Sequence, residues 1–339
     1  MTSTAARRQF LGHHLMQTFI NGTSFDAINS MAVNYVMDVI DISGAGSKSY
    51  PAGCTYQASL MIESVVQVLP TNNPYQVTVS GNVVSWSVAT PIRLVVFASP
   101  NTGRESDYYG GSIYSYDASG NRTIKLAPDF TPFCLVSVID VPPGSQNIAT
   151  SIPLSNKIVT FIRARDGDTA RMPTSFYSSQ YNAGGNYGFS FVQGGGMTQS
   201  GCRMYIFSNY LVNIPKRGFY LYRDGAMVWH SNCLPLNMRL LAGDATSAGP
   251  MAVTPGITSG IYIPQDPSNP QYGGYLNMNC SSAGISNGVW KASSAVVYSS
   301  RIISSSEAAA FKPWAISGRV GLIDCSIYDQ YYPYALGLV

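Results

Sequence analysis

Segments that alternate apolar with polar residues recur along this chain, each closed by a turn signal. That period of two limits the folds open to it more than any other feature. Gln76-Val77-Thr78-Val79-Ser80-Gly81-Asn82-Val83-Val84-Ser85-Trp86 alternates on both sides of Ser-Gly-Asn, the mark of a β-hairpin. Pro91 to Ala98, PIRLVVFA, is a nearly continuous apolar run that suits a buried strand beside it. Ser112 to Leu126 predicts another hairpin, turning at Asp117 to Asn121. Phe133–Ile139 and Lys157–Ile162 continue the pattern, and Tyr187–Val192 and Arg203–Phe207 flank the loop QGGGMTQSG. Phe219 to Trp229 is the clearest hairpin, because its Asp224-Gly225 pair favours a type I′ turn.

Charge supports strands over helices. Only 11% of the 339 residues are charged, against about a quarter in ordinary soluble domains. Glutamate is confined to Glu63, Glu105 and Glu307, so the Glu/Lys supply that solubilises long helices is missing. Hydroxyl, amide and tyrosine side chains suit strands and turns instead. The formal net charge of +3 is small and dispersed, which argues against a nucleic-acid partner. No apolar run is long enough to span a membrane as a helix. The fold class expected is all-β, built of tandem antiparallel sandwich-like modules with a short N-terminal helix or arm.

That arm follows from RRQFLG, Arg7 to Gly12. Two arginines before x-Phe-Leu match the core of a twin-arginine export signal, which requires an apolar run and a small-residue cleavage site. His13, His14, Gln17 and Asn21 interrupt the run, and no such cleavage site follows. Thr2 to Thr4 offer N-cap hydroxyls, while Leu11, Leu15 and Phe19 recur every four residues with Phe10 alongside. This spacing predicts an amphipathic docking helix whose Phe10/Leu11/Leu15/Phe19 face is an assembly interface.

Six cysteines are widely spaced, without a CxxC pair, so neither a zinc site nor a dithiol motif is expected and buried free thiols are. "GSIYSYDASGNRTIKLAPD" from Gly111 echoes "GFYLYRDGAMVWHSNCLPL" from Gly218, with "SAVVYSSRIISSSE" from Ser294 a weaker third copy. Spacers near Ser99–Tyr109 and Ala242–Gly274, the latter crowded with prolines, suggest boundaries. The expected organisation is an assembly arm at 1–30, a β module at 31–105, a β-sandwich module at 106–241, and a Pro/Gly-rich linker with a C-terminal β module at 242–339.

Hairpins of the "YSYDASGN" and "FYLYRDG" type, with strands such as "VTVSGNVVSW", resemble those of virion structural proteins of long-tailed bacteriophages, of the tail-tip and tail-fibre kind. The likeness covers about Tyr75 to Leu236 and lies in strand and turn idiom. It implies a non-enzymatic particle component, assembled in the host cytoplasm and released by lysis. Its partners would be other tail proteins and further copies of itself in a symmetric assembly, and a host-surface glycan or protein receptor is the other partner implied. A polysaccharide-binding or depolymerising tail protein is the alternative, and a capsid or decoration protein a second.

Chemistry-bearing motifs are sparse. "GISNG" places Ser286 in a G-x-S-x-G pattern, yet His13, His14 and His230 all precede it, and the motif needs a strand-to-helix elbow and a later histidine. Asp166 and Asp168 in "RARDGDTAR" lack the further oxygen ligands and closing glutamate of a calcium loop. Asp129, Asp140, Asp244 and Asp324 are the carboxylates open to a glycosidase. The glycines of QGGGMTQSG and QYGGYLN lack phosphate-cradling spacing, and His230 has no second ligand at metal spacing. No enzyme activity, cofactor or metal is expected. Tyrosines cluster at Tyr108, Tyr109, Tyr114 and Tyr116, and at Tyr328, Tyr331, Tyr332 and Tyr334. Such rings serve interfaces or glycan contacts as readily as the chain's own core.

Overall fold

The computed structural model describes residues 17–20, 23–26, 34–61, 75–100, 113–116, 122–126, 132–144, 146–165, 179–191, 201–241, 243–264, 268, 274–302, 314–315 and 320–338. The described residues are mostly β-strand, arranged in multiple antiparallel sheets, as the period of two predicts. The N-terminal helix is corrected. β1 (Gln17–Ile20) and β2 (Thr23–Asp26) form an antiparallel hairpin in which Phe19 pairs with Ser24. Phe19 therefore lies in a strand and not on a helical face, while Phe10, Leu11 and Leu15 fall outside the described residues.

β3 (Tyr35–Ser49), β4 (Cys54–Met61) and β5 (Tyr75–Ser80) all pair with β6 (Val83–Pro100). The hairpin at Gly81-Asn82 is as predicted, but PIRLVVFA is no separate strand. It continues β6 beyond Pro91. The β3 ladder breaks between the Ile42–Ile92 and Gly44–Val88 pairs, so Pro91, which has no N–H to donate, sits where no ladder bond is asked of it. The apolar run is continuous because both faces are covered. Val95 and Phe97 enter one core, while Leu94, Val96 and Ala98 enter another with Ile257 and Cys280.

β7 (Ile113–Tyr116) and β8 (Arg122–Leu126) form the second predicted hairpin. β9 (Cys134–Val141), β10 (Gln146–Pro153), β11 (Ile158–Arg163), β12 (Ser179–Ala183), β13 (Asn186–Phe191) and β14 (Cys202–Ser208) follow. β15 (Tyr220–Arg223) and β16 (Ala226–His230) make the Asp224-Gly225 hairpin, with φ of 50° and 78° at its two central residues, as a type I′ turn requires. β17 (Arg239–Leu241) precedes the Pro-rich stretch, and β18 (Ala245–Ser247), β19 (Met251–Val253) and β20 (Ile257–Pro264) come from it. β21 (Gly274–Ser286), β22 (Val289–Ile302), β23 (Trp314–Ala315), β24 (Val320–Asp324) and α1 (Cys325–Ala335) complete the described elements. SAVVYSSRI from Ser294 is a stretch of the single strand β22, hairpinned to β21, so it does not repeat the two-strand scheme of the other copies.

The centre is a six-stranded sheet in the order β17-β24-β19-β11-β14-β9. It draws strands from both sides of residue 242. β11 and β14 are buried along their whole length, and their side chains divide by parity. Ile158, Ile162, Met204 and Ile206 pack with Phe189 and Phe191 of the β10-β13-β12 sheet. Val159, Phe161, Tyr205 and Phe207 point the other way, into the core shared with Tyr328 and Ala335 of α1. The result is a helix over one face of the sheet and a small sheet over the other.

Candidate functional site

The C-terminal tyrosines lie on α1, the only helix among the described residues. Asp324 caps it, its carboxylate accepting the Ser326 amide at 2.9 Å, and Gly337 follows the end with φ +69°. Tyr328 is buried, takes the Asn237 amide on its hydroxyl at 2.6 Å and donates to the Pro235 carbonyl at 3.1 Å. Tyr331, Tyr332 and Tyr334 are half-buried against the same core. Of the four rings brought together, Tyr328 thus finishes the chain's own interior. Tyr108 and Tyr109 lie outside the described residues, and Tyr114 and Tyr116 are on β7.

Beneath the helix lies a charged cluster that the sequence did not reveal. Arg163 ends β11 with no exposure, yet its guanidinium is fully engaged. Nε donates to the Tyr205 hydroxyl at 2.9 Å, Nη1 to the Ala164 carbonyl at 2.9 Å, and Nη2 to Asp329 at 3.1 Å. The Trp290 ring covers it at 5.3 Å. Tyr205 donates to the other Asp329 oxygen at 2.7 Å, and Arg203 approaches that oxygen at 3.3 Å. Burial pushes the Tyr205 hydroxyl up, and Asp329 adds to that push. It remains a donor at every ordinary pH. The cluster fastens α1 to β11 and β14.

A second cluster joins β3 to the start of β11. Asp38, nearly buried, accepts from Lys48 at 2.6 Å, from Lys157, and from the Tyr50 hydroxyl at 3.2 Å. Burial raises its pKa, but the two lysines outweigh burial and hold it below the ordinary value. A depressed folded-state pKa contributes stability above the unfolded value, near 4, and that contribution is lost as pH falls below it. Between pH 6 and pH 3 the urea midpoint of the wild type should therefore fall toward that of Asp38→Asn. A gap of constant size would remove Asp38 from the acid response.

A third cluster is sulfur-rich. All six cysteines are buried thiols outside any disulfide. Burial works against the Cys233 thiolate, yet hydrogen bonds from Cys134 and His230 bring its pKa below the ordinary thiol value, while the Cys134 thiol is driven up by the same contact and by burial. His230 is fully buried on β16 and its Nδ1 accepts the Asn232 amide at 3.2 Å. Among the described residues no three His, Cys, Asp or Glu side chains are placed to hold a metal.

An open cleft of about 320 Å³ lies between the β3–β6 ladder and the β12–β13 hairpin. Arg93 forms its floor. Nε donates to Asp41 at 2.9 Å, Nη2 reaches the second Asp41 oxygen at 3.4 Å, and Nη1 donates to the Gln180 Oε1 at 2.8 Å. The guanidinium lies 5.7 Å from the centre of the buried Tyr187 ring. Tyr181, Asn182, Leu154 and Pro91 form the exposed rim.

The remaining sequence candidates are scattered. Ser286 ends β21 and precedes Asn287-Gly288, with φ of 52° and 75°. GISNG is thus a strand-to-strand type I′ turn and not an elbow leading into a helix. Asp140 faces Arg203 at 3.5 Å, Asp244 faces Lys291 at 2.9 Å, and Asp324 is the helix cap. Asp129, Asp166 and Asp168 lie outside the described residues, as does most of QGGGMTQSG. Gly274 of QYGGYLN opens β21. The chain matches no protein-family model, no curated protein and no solved structure. No helix among the described residues is long and apolar enough to cross a membrane.

Proposed function

We propose that this protein is a structural component of a long-tailed bacteriophage virion, in the tail tip or tail fibre, acting by assembly and not by catalysis. The observation that carries this reading is the surface around the β15–β16 hairpin. These two strands form a sheet of their own, and within nine residues the chain exposes Ile214, Phe219 and Tyr222, the last at 61%. Trp229 anchors the hairpin in the core, and the large apolar groups it leaves in water mark a protein contact. A neighbouring subunit is the occupant this reading assigns, in a homo-oligomer built within the particle. Phe10, Leu11 and Leu15 are proposed as a further contact from the N-terminal segment.

The particle itself tests this. The protein should cofractionate with purified virions, and Tyr222→Lys should leave the soluble chain folded, with an unchanged circular dichroism spectrum, while preventing its incorporation. Its absence from particles would overturn the reading. Normal incorporation of the Tyr222→Lys variant would remove the hairpin as the contact.

A further inference from the structure

The geometry points to a binding site for a neutral saccharide in the cleft floored by Arg93. This goes beyond the assembly reading and does not depend on it. The first argument is the posture of Tyr181. It sits directly across the ladder from Gly188, and a β-carbon added at that glycine would collide with three carbons of the Tyr181 ring. The ring is therefore laid over the glycine backbone, with one face occupied and 36% of the residue open to solvent. A flat aromatic face fixed at the rim of a cleft is a platform for the C–H face of a sugar ring, which buries apolar area without needing a charged partner. Leu154, 38% exposed, supplies a second apolar wall.

The second argument is electrostatic. Arg93 is the cation of the floor, and its guanidinium is already matched by both oxygens of Asp41 and by Gln180. The pair is formally neutral, so the cleft offers a phosphate or carboxylate no excess positive charge. The same three side chains are held rigid by one another while Asp41 remains 73% exposed at its side chain. Its carboxylate oxygens accept from outside as well as from Arg93, since a carboxylate has about four lone-pair sites. Asn182 has its Oδ1 committed to the Gly185 amide at 2.7 Å, which orients its amide group at the rim. Fixed acceptors and donors of this planar kind, beside an aromatic platform, match the vicinal hydroxyls of an uncharged sugar. The volume lies at the small end of ligand sites and fits a short oligosaccharide.

The test uses the purified full chain and saturation-transfer NMR with a panel of neutral gluco-, galacto- and manno-configured trisaccharides, and with sialyllactose as the charged comparison. At least one neutral trisaccharide should receive saturation through its ring C–H protons, with sialyllactose weaker. Tyr181→Ala should weaken that binding at least tenfold while Tyr181→Phe retains it, because the platform needs the ring and not the hydroxyl. Leu154→Glu tests the second apolar wall without touching the ladder and should weaken binding too. No transfer to any neutral trisaccharide, preference for sialyllactose, or binding unchanged in folded Tyr181→Ala or Leu154→Glu would each overturn the proposal. Virion incorporation is read separately, so failure here leaves the assembly reading to its own test.

Discussion

Asp329→Ala is expected to lower the stability of the folded chain by about 3–5 kcal/mol, the cost of breaking a buried ion pair from one side. The reason lies with the residue left behind. Arg163 has no exposure to water, its guanidinium lies against Tyr205 and Trp290, and Asp329 is the carboxylate it meets at 3.1 Å. Removing that carboxylate also takes the acceptor of the Tyr205 hydroxyl and a counter-charge of Arg203. Asp329 is 26% exposed at its side chain, so water reaching the vacated site places the effect at the lower end of the range. The double variant Arg163→Met/Asp329→Leu should recover much of the loss, because an apolar pair of similar volume carries no desolvation cost. Urea unfolding of the wild type, Asp329→Ala, Arg163→Met, Asp329→Leu and the double variant reads this directly. An Asp329→Ala loss below about 1 kcal/mol, the scale of a surface ion pair, would mean that water serves the guanidinium as well as the carboxylate does.

How this cluster escaped the sequence is instructive. Arg163 and Asp329 are 166 residues apart, and nothing in local spacing joins them. A lone arginine closing the apolar run Ile158–Ile162, or standing inside PIRLVVFA as Arg93 does, was nonetheless a visible irregularity. A charge in a buried strand demands a partner, so both positions were legible as places where something must come to meet them. What comes was not. The cleft shows the same limit, because Asp41, Arg93, Gln180 and Tyr181 converge only through the sheet topology.

Local signals fared better where turn chemistry was explicit. Gly81-Asn82 and Asp224-Gly225 turn as read. Two equally explicit signals were passed over. Gly184-Gly185, both at positive φ, joins β12 to β13. Asn287-Gly288 joins β21 to β22 but was absorbed into the G-x-S-x-G pattern. The C-terminal helix also carried its punctuation, with Asp324 before the first turn and Gly337 after the last. Pro333 inside the segment and the density of tyrosine concealed it. At the N-terminus the reverse happened. A four-residue apolar recurrence ending at Phe19 is short, and Gln17–Ile20 pairs with Thr23–Asp26 instead, while the sequence between them reads Asn-Gly, a dipeptide that favours hairpin turns.

The aromatic seam under α1 should show the other large effect. Phe207 is fully buried, with its ring 5.4 Å from Phe161 and 5.0 Å from Tyr328, edge to face in both cases. Phe207→Ala removes a side chain that touches the sheet on one side and the helix on the other. A cost of about 3–5 kcal/mol is expected for truncating a buried phenylalanine, because close-packed neighbours collapse only partly into the space. The helix should register the loss first. Its N-terminal half is held by Tyr328, whose hydroxyl bridges the Asn237 amide and the Pro235 carbonyl, and Pro333 withholds one backbone donor from its last turn. Amides of 328–335 should therefore exchange faster in Phe207→Ala than those of β11 and β14, although the substitution lies on β14 itself. Tyr328→Ala combined with Phe207→Ala should cost less than the two single losses added, since each removes the same edge-to-face contact. Strict additivity would place Phe207 outside the seam, and uniform acceleration of exchange across the sheet would show that α1 unfolds only with the whole core.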